Sequence, residues 1–471
     1  MDRNKILLKN IITYALGNFG SKFIGFILLP LYTHYLSVSD YGYLGLISVS
    51  VSFIIPIITF QIFDGLYRFL LGVDSIEERK KVISSCFFKI LKNLIIFNLL
   101  YLLLILFVNF KYQFLILLQI NFSIFAGLFL QSARGLKKNI KYSLSGVIST
   151  IVVSSISIIL IVFYKMKVDG IIIAQIFGSI SVLIYLSLTL DIIKYINIKY
   201  LDSKISKSII KYSIPLIPNV MCWWIMNLSD RYMLSFFKGI ESVGIYTVAN
   251  KFPSLLMLVN SIFYLAWQEN AITNYKAKDK NQYYTNIFKV FMVLEFTTVF
   301  VLITSTKFIM NIMVDAKFFI AWKYTLFLYF GAMFSAFSSF YGTGYQSSKE
   351  TMGAFTTTIF GASINILINL IFIPIIGIQA ASLSTMLAFL SLWLMRLIQT
   401  KKYFTIRISL KQLLLLAMFS IMFSISIYIT KISYLNEVFF LFSIILFLIY
   451  NKSLITKGVS YGKYFANSRK K

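Results

Sequence analysis

The sequence predicts an all-α polytopic membrane protein of about fourteen transmembrane helices, in two parallel six-helix lobes followed by two further helices and a basic tail. Three observations carry this. The 471 residues are 58% hydrophobic and 13% charged, where a soluble globular chain would carry roughly 25% charged residues. Apolar stretches of about 20 residues, the length a helix needs to cross the hydrocarbon core, recur from end to end. Finally, the start of the chain is echoed past its middle: Lys9 precedes Gly42 by the same interval as Lys211 precedes Gly244.

Read by length and by the absence of clustered charge, the first six spans are 11–32, 44–63, 93–110, 114–133, 143–164 and 171–193. The next six are 212–236, 243–267, 287–306, 324–342, 354–374 and 379–399, and the last two are 412–430 and 437–450. The first is longer than a signal-peptide core of about 7–15 residues and contains Lys22, so it reads as retained. Lobe boundaries follow: 1–204, 205–405, and 406–471 for the additional helices and basic tail. Six spans precede the second lobe, so its first helix enters from the same side as span 11–32. That geometry makes the lobes parallel repeats, and Ser39-Asp40-Tyr41-Gly42 aligns with Glu241-Ser242-Val243-Gly244 in what reads as an external turn.

The 45 Lys and Arg against 17 Asp and Glu give a formal charge of +28, which in a soluble chain would suggest nucleic acid. Here the basic residues sit in short alternate loops, such as Arg79-Lys80-Lys81 and Arg134 to Lys141, where they set orientation by the positive-inside rule. Both termini are therefore expected on the cytoplasmic side, and no nucleic-acid partner is expected. Cys86 and Cys222 lie in apolar surroundings far apart in sequence, and His34 is the one histidine, so no disulfide, metal or haem site is expected.

Ionisable residues within spans are costly and usually face a bundle interior or a wet cavity. Lys22 lies on the order of 20 Å along its helix from Lys9, too deep for easy snorkelling; it reads as a cavity cation or as the partner of a carboxylate such as Glu295. Lys251 sits inside span 243–267 with Pro253 two positions on, where proline kinks a helix and frees carbonyls. Asp230 and Arg231 are adjacent, point to different faces and each need a partner elsewhere; Arg231 either lines a cavity or anchors the outer interface. Asp64 and Arg68, one turn apart, read as an i,i+4 surface pair or as cavity groups. Glu295 is the carboxylate nearest the middle of a span, a candidate proton site or counter-ion. Asn365 and Asn369 share a helix face and suit interhelical hydrogen bonds. Trp223 and Trp224 fall near mid-span, while Trp267 and Trp322 at span ends read as interfacial anchors.

The run NIITYALGNFGSKFIGFILLPLYTHYLSVSDYGYLGLI, with its PLYT and DYG motifs, resembles the opening of the polysaccharide flippases of the MOP superfamily, the Wzx-type O-antigen translocases. The run YSIPLIPN…LSDRYMLSFFKGIESVGIYTVANK is similar to that family's seventh and eighth helices. The resemblance covers roughly residues 5–270. It implies lobes around a central cavity open alternately to either side, in the inner membrane of a bacterium making O-antigen or related lipopolysaccharide. It also implies an undecaprenyl-diphosphate-linked oligosaccharide as substrate, membrane lipids around it, and a polysaccharide polymerase and chain-length regulator as partners. Lys22, Lys251, Arg231 and Arg68 would then draw the diphosphate, with Glu295, Asp230 and Asp64 as candidates for coupling or counter-ions. No cofactor is implied beyond a proton or sodium gradient.

Two other readings compete. A drug/cation antiporter of the related MATE group needs a cavity carboxylate, which the first span lacks, and its cationic substrates would be repelled by Lys22 and Lys251. An enzyme, as a membrane-embedded O-antigen polymerase, would be expected to carry a large external loop, and the longest such loop, 307–323, is modest.

Overall fold

The structure is a computed structural model that describes residues 26–348, 350–429 and 433–468. Every regular element among the described residues is helical. Among them, twelve helices are long and apolar enough to cross a membrane, and the bent pair Ile240–Ala249 and Lys251–Thr273, at 44°, supplies a thirteenth. The expected first span, 11–32, and Lys22 within it lie mostly outside the described residues. The chain forms two compact units, one ending at Gly244 and the other beginning at Ile245.

The unit ending at Gly244 opens with α1 (Leu29–Tyr35) and α2 (Val38–Ile58). Ser37 caps α2: its hydroxyl accepts the Asp40 N–H at 3.0 Å while the Asp40 carboxylate accepts the Ser37 N–H at 3.3 Å, a reciprocal capping box. The Ser39–Gly42 quartet is therefore helical and not a turn, and the span begins at Val38, because hydropathy locates the apolar stretch while the cap sets the helix start. Left-handed Phe60 and Gln61 (φ 50° and 54°) break the chain before α3 (Ile62–Leu70). The Asn93 amide donates to the Ile58 carbonyl at 2.8 Å, occupying one of the acceptors a helix end leaves open.

Next, α4 (Ile76–Phe107) starts at the Ser75 cap, long before its apolar half, and is followed by α5 (Gln113–Gly135), α6 (Asn139–Ile158) and α7 (Val168–Leu190). A β-carbon on Gly178 would lie 2.4 Å from Val153 Cγ2, so glycine is what lets α6 and α7 approach, as small residues do in membrane bundles. After α8 (Ile192–Tyr195) comes α9 (Ser203–Ser213), capped by Asp202, whose Oδ1 accepts from Lys204 and Ile205. The expected continuous span 212–236 is instead broken. Pro215 lies in the 3-10 turn Ile214–Leu216, then come α10 (Ile217–Leu228) and, past Ser229, α11 (Asp230–Lys238). Gly239, at φ +82°, takes a conformation that glycine adopts most readily and turns the chain into α12 (Ile240–Ala249).

The unit beginning at Ile245 contains α13 (Lys251–Thr273), α14 (Lys280–Met313), α15 (Thr325–Ser348), α16 (Thr351–Ile376), α17 (Ile378–Gln399), α18 (Leu410–Ile429) and α19 (Ser433–Ser468). Its core is aromatic: Phe263 stacks on Phe291 at 4.0 Å and Trp267 on Phe340 at 4.1 Å. Trp267 is fully buried, and its indole N–H donates to the Phe340 carbonyl at 3.3 Å. The expected interfacial anchor is thus a core residue, because α13 continues to Thr273 and carries Trp267 away from the helix end.

Candidate functional site

In the unit ending at Gly244, Asp230 and Arg231 open α11 and are both buried, at 0% and 9% exposure. Arg231 lies close enough to the buried Tyr41 of α2 to act on its hydroxyl electrostatically. Trp224 of α10 also faces α2, its indole N–H shared between the Val49 carbonyl and the Ser52 hydroxyl at 3.2 Å each. Phe53 packs against that ring at 4.5 Å, and Tyr232 meets the Ser50 hydroxyl. Thus α2, α10 and α11 form one polar and aromatic cluster around Arg231 and Trp224. Asp64 and Arg68 do not pair as their spacing suggests. Left-handed Gln61 reaches Asp64 first, donating from Nε2 at 2.8 Å, and Arg68 is exposed. Next to them, the Arg134 guanidinium stacks on Tyr67 at 4.3 Å.

In the unit beginning at Ile245, half-buried Lys251 is the first residue of α13, immediately after the 44° bend. Pro253 has no N–H to give the Ala249 carbonyl, the bond that would have continued α12 into α13. The kink expected beside this charge is therefore present. Glu295, midway along α14, is 1% exposed and accepts a hydrogen bond from Asn260 Nδ2 at 3.1 Å. No described cation lies within ion-pair distance of it.

Asn369 donates to Asn365 at 3.2 Å, Asn365 donates to Ser384 at 3.3 Å, and the Ser384 hydroxyl donates to Asn369 at 2.7 Å, all buried between α16 and α17. This is the interhelical bonding their shared face suggested.

One charge escaped the sequence reading. Arg396, 4% exposed, donates to the Ser338 carbonyl at 2.9 Å and to the Thr358 and Thr357 hydroxyls at 3.1 and 3.3 Å. It ties α15, α16 and α17 together, and its signal was a lone arginine short of a span end. Near it, Glu350 accepts from Lys402 and from the Tyr403 hydroxyl, both at 2.7 Å. Along α18, two largely apolar clefts of about 420 and 590 Å³ share Ile421 and Ile425. Among the described residues no cluster of His, Cys, Asp and Glu suits a metal ion.

A family model for polysaccharide biosynthesis proteins matches residues 7–268. No curated protein matches the chain by sequence. Among solved structures, the lipid II flippase MurJ in an inward closed conformation is similar at 20% identity and a TM-score of 0.68, over 94% of this chain and 100% of that one. An inward-facing multidrug resistance MATE family transporter of the MOP superfamily is similar at 12% identity and a TM-score of 0.63, over 84% and 98%. A MOP superfamily transporter from Pyrococcus furiosus follows at 12% identity and 0.59, over 86% and 97%. These likenesses show a fold shared with the three solved proteins.

Proposed function

The chain belongs to the polysaccharide biosynthesis protein family, and from that membership we propose that it is a flippase for an undecaprenyl-diphosphate-linked oligosaccharide. It carries an O-antigen or related repeat unit from the cytoplasmic to the periplasmic leaflet of the inner membrane by alternating access. The observation that carries the reading is the family match, which spans both halves of the repeated motif, Gly42 and Gly244. The whole-length likeness to a lipid flippase fold supports it.

In this reading the cations draw the diphosphate: Lys22, Lys251, Arg231 and Arg68. Arginine and lysine pair well with phosphate oxygens, and at Arg231 burial strengthens the attraction by lowering the effective dielectric. Asp230, Asp64 and Glu295 serve as counter-ions or coupling groups to a proton or sodium gradient. The apolar clefts on α18 suit polyprenyl chains. Membrane polymerase and chain-length regulator partners would take up the product on the far side, and the chain itself is a carrier and not a catalyst. The test is translocation of a lipid-diphosphate-linked oligosaccharide in proteoliposomes containing the purified full chain. Transport of a cationic dye in its place would favour the antiporter reading.

A further inference from the structure

Glu295 is the carboxyl most thoroughly removed from water in the unit beginning at Ile245, and its surroundings are specific. It sits one helical turn from Phe291 on α14, and Asn260 sits one turn from Phe263 on α13; these two phenylalanines stack at 4.0 Å. The stacked rings fix the two helices side by side and so hold the carboxyl against the amide. Asn260 is 8% exposed, donates from Nδ2 to Glu295 Oε2 at 3.1 Å, and has its Oδ1 buried with no hydrogen-bond partner among the described residues.

Among the described residues, no titratable or charged group faces Glu295 from the helices packed on α14. Lys251 and Glu269 lie towards the two ends of α13, and Lys411 lies at the start of α18. Glu437 and Lys452 on α19 are exposed. Tyr264 is engaged by Gln346 and Tyr329 by Thr306. Burial and the Asn260 bond are what act on the carboxyl.

A buried carboxylate without a counter-charge is costly, and a buried amide oxygen without a donor is costly as well. A single hydrogen ion removes both penalties. We propose that Glu295 and Asn260 form an intramembrane proton-binding site. On uptake an O–H bond forms at the second carboxyl oxygen and its hydrogen is given to Asn260 Oδ1, while Asn260 Nδ2 keeps its bond to Oε2. The site passes from anionic to neutral, and on release the proton returns to water. The amide's two ends thus match the two ends of the acid form and only half of the ionised form. Through this site a proton gradient would drive the carrier, so the coupling role rests on the flippase reading; the proton site itself does not.

Infrared difference spectroscopy of the reconstituted full chain, titrated first with pH in sodium-free buffer and then with sodium at fixed pH, tests it. A titrating carboxylic-acid carbonyl band is expected in the native protein. It should vanish in Glu295→Gln, persist at a shifted frequency in Glu295→Asp, and shift in Asn260→Ala. An unchanged band in Glu295→Gln would overturn the proposal, as would a band that follows sodium concentration in place of pH, which would mark a metal-cation site. In proteoliposomes, Glu295→Gln should lose at least tenfold of the acceleration that a pH gradient gives to lipid-diphosphate-linked oligosaccharide movement. If the native protein moves no such lipid, the flippase reading falls while the infrared result stands.

Discussion

Gly42 and Gly244, the matching glycines of the repeated motif, are packed backbone against backbone. A β-carbon on Gly42 would lie 2.1 Å from the Ile240 carbonyl oxygen, and one on Gly244 would lie 2.1 Å from the Val38 carbonyl oxygen. Each glycine thus meets the carbonyl that stands one helical turn before the other glycine. Contact this close brings Cα–H groups onto carbonyls, a weak but recurrent interaction between helices, and it excludes any side chain at either position.

Gly42→Ala and Gly244→Ala should therefore each destabilise the protein by about 1–3 kcal/mol, the usual cost of forcing a methyl into a closed contact. Thermal unfolding in detergent reads this. The double variant should cost less than the sum of the single ones, because the first substitution already separates α2 from α12. Native-like melting of both single variants would show that the helices do not depend on this approach.

Arg396 should be among the most sensitive positions in its unit. Arg396→Ala leaves two threonine hydroxyls and the Ser338 carbonyl without their donor in a buried site, a loss on the order of 3 kcal/mol. Gly342→Ala should weaken the same junction, since its β-carbon would come within 2.8 Å of the guanidinium. Expression level and melting temperature measure both; a stable Arg396→Ala would mean that the three helices are held by apolar packing alone.

Glu350 provides a pH-dependent contact. The Lys402 ammonium, and after it the Tyr403 hydroxyl, hold its carboxyl below the usual carboxylate range. Because the folded-state value is depressed, the stabilisation is present above the unfolded value of about 4.3 and is lost as pH falls through the folded value. The group is exposed, so the effect is small. Glu350→Gln should melt slightly below the native protein near neutral pH and coincide with it in acid. A gap that widened in acid would contradict the assignment.

The cations proposed to draw the diphosphate make a sharper demand. Lys22→Ala, Lys251→Ala or Arg231→Ala should cut surface glycan at least tenfold with protein abundance unchanged. Arg231→Lys should restore it only in part, since lysine lacks the planar fork. Normal glycan from Lys22→Ala and Lys251→Ala alike would remove these two lysines from the substrate path.

The residues show what a sequence does and does not reveal. Span positions were legible because apolar length is a local property, and so was the break beside Lys251, which Pro253 announces. Helix ends were not: Ser37 and Ser75 set the starts of α2 and α4 by side-chain capping, which a hydropathy window does not see. The same error placed Trp267 at an interface when α13 carries it into the core. The equal spacing of Gly42 and Gly244 was visible, but their mutual contact joins positions far apart in the chain. Asp64 and Arg68 had ion-pair spacing, yet left-handed Gln61 brings an amide to Asp64 instead. Arg396 passed as one more charge near a span end, because its three acceptors lie on other helices.

The central claim is that this family member moves a lipid-linked oligosaccharide across a bilayer, and one measurement tests it most directly. Proteoliposomes containing the purified full chain are loaded with undecaprenyl-diphosphate-linked oligosaccharide on one leaflet, and its appearance on the other is followed by enzymatic accessibility of the glycan. Transfer well above that of protein-free vesicles, faster with a proton gradient and lost in Lys251→Ala, is the predicted result. Transfer no faster than in protein-free vesicles, with folded protein present, would contradict it.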